Sequence, residues 1–213
     1  MAKQVSENNK VKWNNKELSI LDSLNTPEDI QAYLDKTPYN PDDSAISPRR
    51  VMRENKAHCF EGALFAYVAL EHIGYKPQLI YIIAVRDDGH LLTVYRKNGK
   101  YGCLAKSNFT GLRYRSPIYK TIRELVVSYF EDYFNTAGEL TLRKYTHPVS
   151  IPKRKFKNWQ FREDDLNDIS DYLDLPKTYT VVTEKEAKKL RLVDNRLYNA
   201  GLLGTNKKGL YKV

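Results

Sequence analysis

Lys56-Ala57-His58-Cys59-Phe60-Glu61-Gly62-Ala63-Leu64-Phe65-Ala66-Tyr67-Val68-Ala69-Leu70 is the stretch whose reading decides the fold. Apolar residues fall at 60, 63, 64, 67, 68 and 70, and small ones at 57, 62, 66 and 69. That pattern is a helical stripe wide enough to be covered on most sides. Gly74 supplies the C-terminal stop, and Pro77 forbids continuation. Asn55 is the N-cap the sequence offers, which sets Cys59 about one turn into the helix. A thiol there feels the positive end of the helix dipole, which favours thiolate. On this helix alone the ordinary reading is a cysteine packed as a small hydrophobe.

Beyond Gly74 the period changes from helix to strand. Gln78 to Val85 is a strand apolar on both faces, Asp87-Asp88-Gly89 a turn, and His90 to Arg96 a second strand. Asn98-Gly99 is a strong hairpin signal, and Tyr101 to Ala105 follows as a third strand. Neighbours in sequence, the three are expected as an antiparallel meander. Ser107 to Arg115 reads as irregular. Ser116-Pro117 is expected to open a helix running through Ile122, Leu125, Tyr129 and Phe134 to Gly138.

On the N-terminal side, residues 1–15 read as a flexible polar lead, followed by a short helix from Glu17 to Leu24. Thr26-Pro27-Glu28-Asp29 starts another: Thr26 caps, Pro27 takes the first helical position and Asp29 the third. A short helical turn is expected at Val51 to Glu54. On the C-terminal side, Leu140 to Tyr145 and Val149 to Ile151 read as strands. Asp164 to Leu173 reads as a helix, and Thr183 with Glu186 as a capping-box start for a helix reaching Asn199. The division is a core over 16–150 and a basic, mainly helical extension over 151–213.

Composition narrows the class. A chain of 213 residues with 41% hydrophobic content supports a sizeable core. No run approaches the length of a membrane span, so none is expected, and two cysteines make no disulfide framework. A reducing cytoplasm is the expected location. Net charge is +9, with Lys and Arg outnumbering Asp and Glu over the last third. Such a surface can meet nucleic acid or an acidic partner, but a solvated basic face is the commoner case.

The order of chemistry-bearing residues now matters. A cysteine begins a helix, His90 begins a strand, and Lys106-Ser107-Asn108 closes the hairpin's last strand. A Cys/His pair is the minimum for nucleophilic acyl chemistry, with a third group fixing the imidazole. The residues AHCFEGALFAYVAL, GYKPQLIYIIAV and GHLLTVYRKNGKYG resemble the transglutaminase-like branch of the papain-fold cysteine enzymes over residues 25–135. Within it the chain is similar to bacterial members carrying KAHC, a GH-containing strand and a KSN segment. The resemblance implies an α+β, papain-like core, with the cysteine helix packed on an antiparallel sheet. It implies a Cys59/His90 pair and no particular substrate.

In many small members of that branch an aspartate follows the histidine by about fifteen positions; here that position is Ala105. Two hairpin registers offer two replacements. A two-residue Asn98-Gly99 turn sets His90 opposite Ser107; a three-residue loop with a bulge sets it opposite Asn108. Asn108 is the preferred orienter, because its amide can accept the imidazole N–H, and Ser107 is the alternative. The expected site is therefore Cys59 as nucleophile, His90 as base and acid, and Asn108 as orienter, with the Cys59 N–H in an oxyanion hole.

His58 adjoins Cys59, where it could donate to the site, but the commoner case is a helix-surface histidine; His72 reads as a cation at a helix end, Cys103 as strand packing and His147 as a loop residue. No ligand spacing suggests zinc and no motif suggests a cofactor, so neither is expected. The expected partner is a peptide or protein substrate. The competing reading is an inactive binding module of the same fold, with a basic C-terminal surface. A weaker one is nucleic-acid association through Lys153 to Trp159, which match no known reader motif.

Overall fold

The computed structural model describes residues 12–213. The expected lead therefore lies outside the described residues over 1–11, and at its end Asn14 already caps a helix.

Helix starts follow local chemistry. In α1 (Asn15–Ser23) the Asn14 side chain accepts the Glu17 N–H at 2.9 Å and Glu17 accepts the Asn14 N–H at 2.7 Å. In α2 (Pro27–Lys36) Thr26 and Asp29 make the same exchange. Ser47 and Pro48 start a full helix, α3 (Pro48–Glu54), where a turn was expected. Asn55, the expected cap of the cysteine helix, instead ends α3 with a left-handed φ of 51°. The next helix, α4 (Cys59–His72), is capped by His58, so Cys59 is its first residue.

The strands β1 (Gln78–Ala84), β2 (His90–Lys97) and β3 (Lys100–Leu104) form the expected meander. Lys97 pairs Lys100, and both turn residues have positive φ, 51° at Asn98 and 76° at Gly99. The turn thus has two residues, as Asn-Gly favours.

The expected helix at Ser116-Pro117 is instead strand β4 (Arg115–Tyr119), paired with β3 at the sheet edge. Proline is tolerated there because an edge strand can leave an N–H position unpaired. Gly102 permits the approach: a Cβ on it would lie 2.9 Å from the Arg115 carbonyl and the Pro117 nitrogen. The helix that follows, α5 (Ile122–Val127), is capped by Thr121 and soon gives way to a 3-10 turn at Phe130–Asp132.

Strand β5 (Leu142–Thr146) pairs β1, whereas Val149 makes only an isolated bridge to Leu79. Beyond it lie α6 (Asn167–Asp174), β6 (Thr178–Thr180), α7 (Glu184–Ala187) and α8 (Asn195–Gly201). The single long helix expected from Thr183 is split, because Asp194 caps a new one through the N–H groups of Arg196 and Leu197. Residues 151–213 thus hold three short α-helices, two 3-10 turns and a strand, joined by irregular chain, rather than being mainly helical. They share the core of the rest: Ile151, Trp159, Leu166 and Ile169 pack with Leu64 and Leu79.

The architecture is α+β, with an open six-stranded antiparallel sheet in the order β4-β3-β2-β1-β5-β6. Period two sorts the strand residues between its faces. Leu79 and Leu91 turn to α4 and α6, while Ile80, Ile82, Leu92 and Val94 turn to Leu125, Val126 and Tyr129. Burying each such side chain contributes about 1.5–3 kcal/mol. The tyrosines Tyr67, Tyr95, Tyr129 and Tyr133 are core residues. Among the described residues no helix is long and apolar enough to cross a membrane.

Gly62 tests this packing. Alanine there would favour the isolated helix by roughly 1 kcal/mol. Its Cβ, however, would lie 2.3 Å from the Lys106 Cβ. The clash should win, so Gly62→Ala is expected to lower unfolding free energy by about 1–3 kcal/mol in urea titration. Increased stability would contradict this packing.

Candidate active site

A buried carboxylate sets the geometry. Glu61, in the first turn of α4, has no exposed surface. It accepts hydrogen bonds from Asn40 Nδ2 at 3.0 Å, Ser44 Oγ at 2.7 Å, the Ile46 N–H at 3.2 Å and the His58 N–H at 2.9 Å. The loop between α2 and α3 is thereby tied to the start of α4. His58 is held as well. Its Nε2 donates to the Ser44 carbonyl at 2.6 Å and its Nδ1 accepts the Phe60 N–H at 3.2 Å. These contacts hold the ring beside Cys59; burial alone would push its pKa down, but hydrogen bonding with the thiol and the charges of Cys59 and Glu61 outweigh burial and push it up to about 9.

Cys59 opens α4 on one face of the sheet, and His90 opens β2. The two meet past the strand's end, beside Gly89, where both line one small cavity. The Cys59 thiol also lies 3.8 Å from the Gly89 carbonyl. Burial alone would push this thiol up. Hydrogen bonding with His58 and His90 and the charges of both imidazoles outweigh burial and bring it down to about 5. In contrast, burial pushes Cys103 up to about 11, and its sulfur lies 2.9 Å from the Tyr129 hydroxyl.

His90 is buried, its ring edge-on to Tyr129 and Tyr133. Its Nε2 lies 2.8 Å from the Leu112 carbonyl. A carbonyl only accepts, so Nε2 carries a proton towards Leu112. The group that holds the His90 ring is therefore main chain.

This corrects the expected orienter. In the two-residue register Asn108 is not opposite His90. Its Nδ2 donates to the carbonyls of Asn206 at 2.9 Å and Gly209 at 3.0 Å, and its Oδ1 accepts the Asn206 N–H at 2.8 Å. Ser107 lines the cavity with His90, but its hydroxyl accepts the Phe109 N–H at 3.0 Å. Ala105 is buried, its N–H and carbonyl bonded to Gln31. His72 pairs with Asp22 at 2.7 Å, and His147 lies 3.2 Å from the Tyr179 hydroxyl.

Three contributors were missed by sequence reasoning. The Leu112 carbonyl left no signal, because any residue supplies one. His58 reads in the sequence as a surface histidine rather than as a donor beside Cys59, although a histidine before a helix with glutamate three positions on signals a capping box. Asp87, in the turn before His90, is the third: burial pushes its carboxyl up to about 6 although Thr141 donates to it at 2.7 Å.

The phenols of Tyr39 and Tyr81 also face Cys59. Burial, then the charge of a Cys59 thiolate, push both up, Tyr81 to about 12, so both stay protonated donors. Among the described residues no group of three His, Cys, Asp or Glu could hold a metal ion. No protein-family model matches the sequence, and no curated protein matches it.

The two thiols should differ sharply in reactivity. At neutral pH Cys59 lies above its midpoint and is thiolate, whereas Cys103 lies far below its own. Brief iodoacetamide treatment with peptide mapping is expected to label Cys59 and spare Cys103. Cys59 labelling should fade only as pH falls through about 5. Equal labelling, or Cys103 first, would contradict this assignment.

Proposed function

We propose that the protein is a cysteine-dependent acyl-transfer enzyme of the papain-like, transglutaminase-like kind. It would act by peptide or isopeptide hydrolysis, deamidation or amide transfer. The observation that carries this reading is the thiol of Cys59, first residue of a helix and set between two imidazoles that hold it as thiolate near neutral pH. An inert buried cysteine has the opposite environment, as Cys103 does.

The mechanism follows from the atoms. The Cys59 thiolate attacks the carbonyl carbon of an amide or ester, forming a carbon–sulfur bond. The oxyanion meets the Cys59 N–H, which as a first-turn donor has no acceptor within the helix. Tyr39 or Tyr81 supplies a second donor from the cleft wall. An imidazole proton goes to the leaving amine or alcohol as its bond to the carbonyl carbon breaks. His90 then takes a proton from water or an acceptor amine, which attacks the thioester and releases Cys59. The Leu112 carbonyl holds the His90 ring through these steps, in the role a carboxylate or amide plays elsewhere.

Intact-mass measurement with small activated esters of short peptides tests this reading. The wild type is expected to gain one acyl group at Cys59, and Cys59→Ala none. His90→Ala should slow deacylation by about a hundredfold or more, the usual worth of a general base. Ser107→Ala should be nearly silent. An adduct that forms equally in Cys59→Ala contradicts the proposal. So does a wild type that never acylates, and the inactive binding module would then replace it.

A further inference from the structure

One segment left over from the site runs across its mouth. After α8 the chain turns back, and Asn206–Tyr211 lies along the Cys59 cleft. Gly209 and Tyr211 line the cavity shared by Cys59 and His90. Lys208, Gly209, Leu210 and Tyr211 line the adjoining groove of about 470 Å³ with Tyr39 and Cys59. Gly209 is seated so closely that a Cβ on it would lie 2.5 Å from the Tyr39 ring.

The attachment is slight and concentrated. Asn108 makes three hydrogen bonds to this segment, two from Nδ2 and one to Oδ1. Further along, the Thr136 hydroxyl reaches the Tyr211 carbonyl at 3.3 Å. No other side chain outside the segment hydrogen-bonds it among the described residues. Such a piece of chain opens at low cost compared with the core.

Charge says what else would fit. The grooves on either side of Cys59 carry Asp43, Asp88 and Asp174, none with an ion-pair partner among the described residues. Among the described residues Lys208 is the one lysine or arginine lining either groove. An acid-rimmed cleft in a protein of net charge +9 thus holds a Lys-Lys-Gly sequence of its own.

We propose that Asn206–Tyr211 is a strap, latched by Asn108, that closes the Cys59 cleft, and that a basic peptide of the same chemistry displaces it. The proposal rests on the reading of Cys59 as the reactive group. It gives Asn108 a role opposite to that of an orienter. Removing an orienter slows the site, whereas removing a latch exposes it.

The rate of Cys59 alkylation in the full chain separates these roles. Asn108→Ala removes the latch. Gly209→Val drives the strap off Tyr39 without touching Asn108. Both are expected to label faster than wild type, Asn108→Ala by about tenfold or more, the worth of three modest hydrogen bonds. The peptide Thr-Asn-Lys-Lys-Gly-Leu-Tyr-Lys-Val, added in trans, should slow labelling of both variants again, and its counterpart with glutamate for every lysine should not. Unchanged rates in both variants, with folded far-ultraviolet spectra, would overturn the strap, as would slower labelling in Asn108→Ala. Equal protection by the two peptides would overturn the basic partner. Labelling needs only an accessible thiolate, so failure of the acyl-transfer reading shows separately, as fast labelling without any acyl adduct.

Discussion

The buried carboxylate of Glu61 is the constraint on which the site depends. A carboxylate without contact to solvent is tolerated only where hydrogen-bond donors replace its water. Here the donors come from the loop between α2 and α3 and from the cap of α4. Satisfying one side chain therefore fixes a loop, the start of a helix and the ring of His58 together. The loop brings Tyr39 to the cleft, the helix start presents Cys59, and Ser44 orients His58. Removing Glu61 would leave several of these donors facing apolar surroundings, each at about 1–3 kcal/mol.

The sheet supplies the other half. β2 is central, covered by α4 on one face and by the Leu125–Tyr133 region on the other. The Thr93 hydroxyl donates to the Ala63 carbonyl at 2.6 Å, joining β2 to α4 directly. Helix and strand are thus registered against each other about one turn away from the cysteine. A rigid pair of elements is what the proposed nucleophile and base would need, since displacement by 1 Å can cost two orders of magnitude in rate.

Much of this was legible in the sequence, and the failures share a cause. Local signals held: the capping box at Thr26, the Asn98-Gly99 turn and the apolar stripe of α4 all lie where expected. Ser116-Pro117 misled because proline suits both a helix start and an edge strand, and only pairing with β3 decides between them. The long C-terminal helix misled because Thr183 marks a start but nothing local marked the stop at Ala187. At the site, Cys59 and His90 were legible because a thiol and an imidazole are distinctive side chains. The partner of His90 was not, because a main-chain carbonyl belongs to every residue. Asn108 looked like that partner by side-chain type, and one residue of hairpin register turned it towards the segment at 206–211 instead.

The central claim is that two imidazoles, rather than the helix start alone, make Cys59 a thiolate. Ultraviolet thiolate absorbance, titrated for wild type, His58→Ala and His90→Ala, each against its Cys59→Ala counterpart, addresses it most directly. The account predicts an inflection near pH 5 in the wild type and a clear upward move on loss of either histidine. A wild-type inflection in the ordinary thiol range, about 8.5, or one that neither substitution moves, would contradict it.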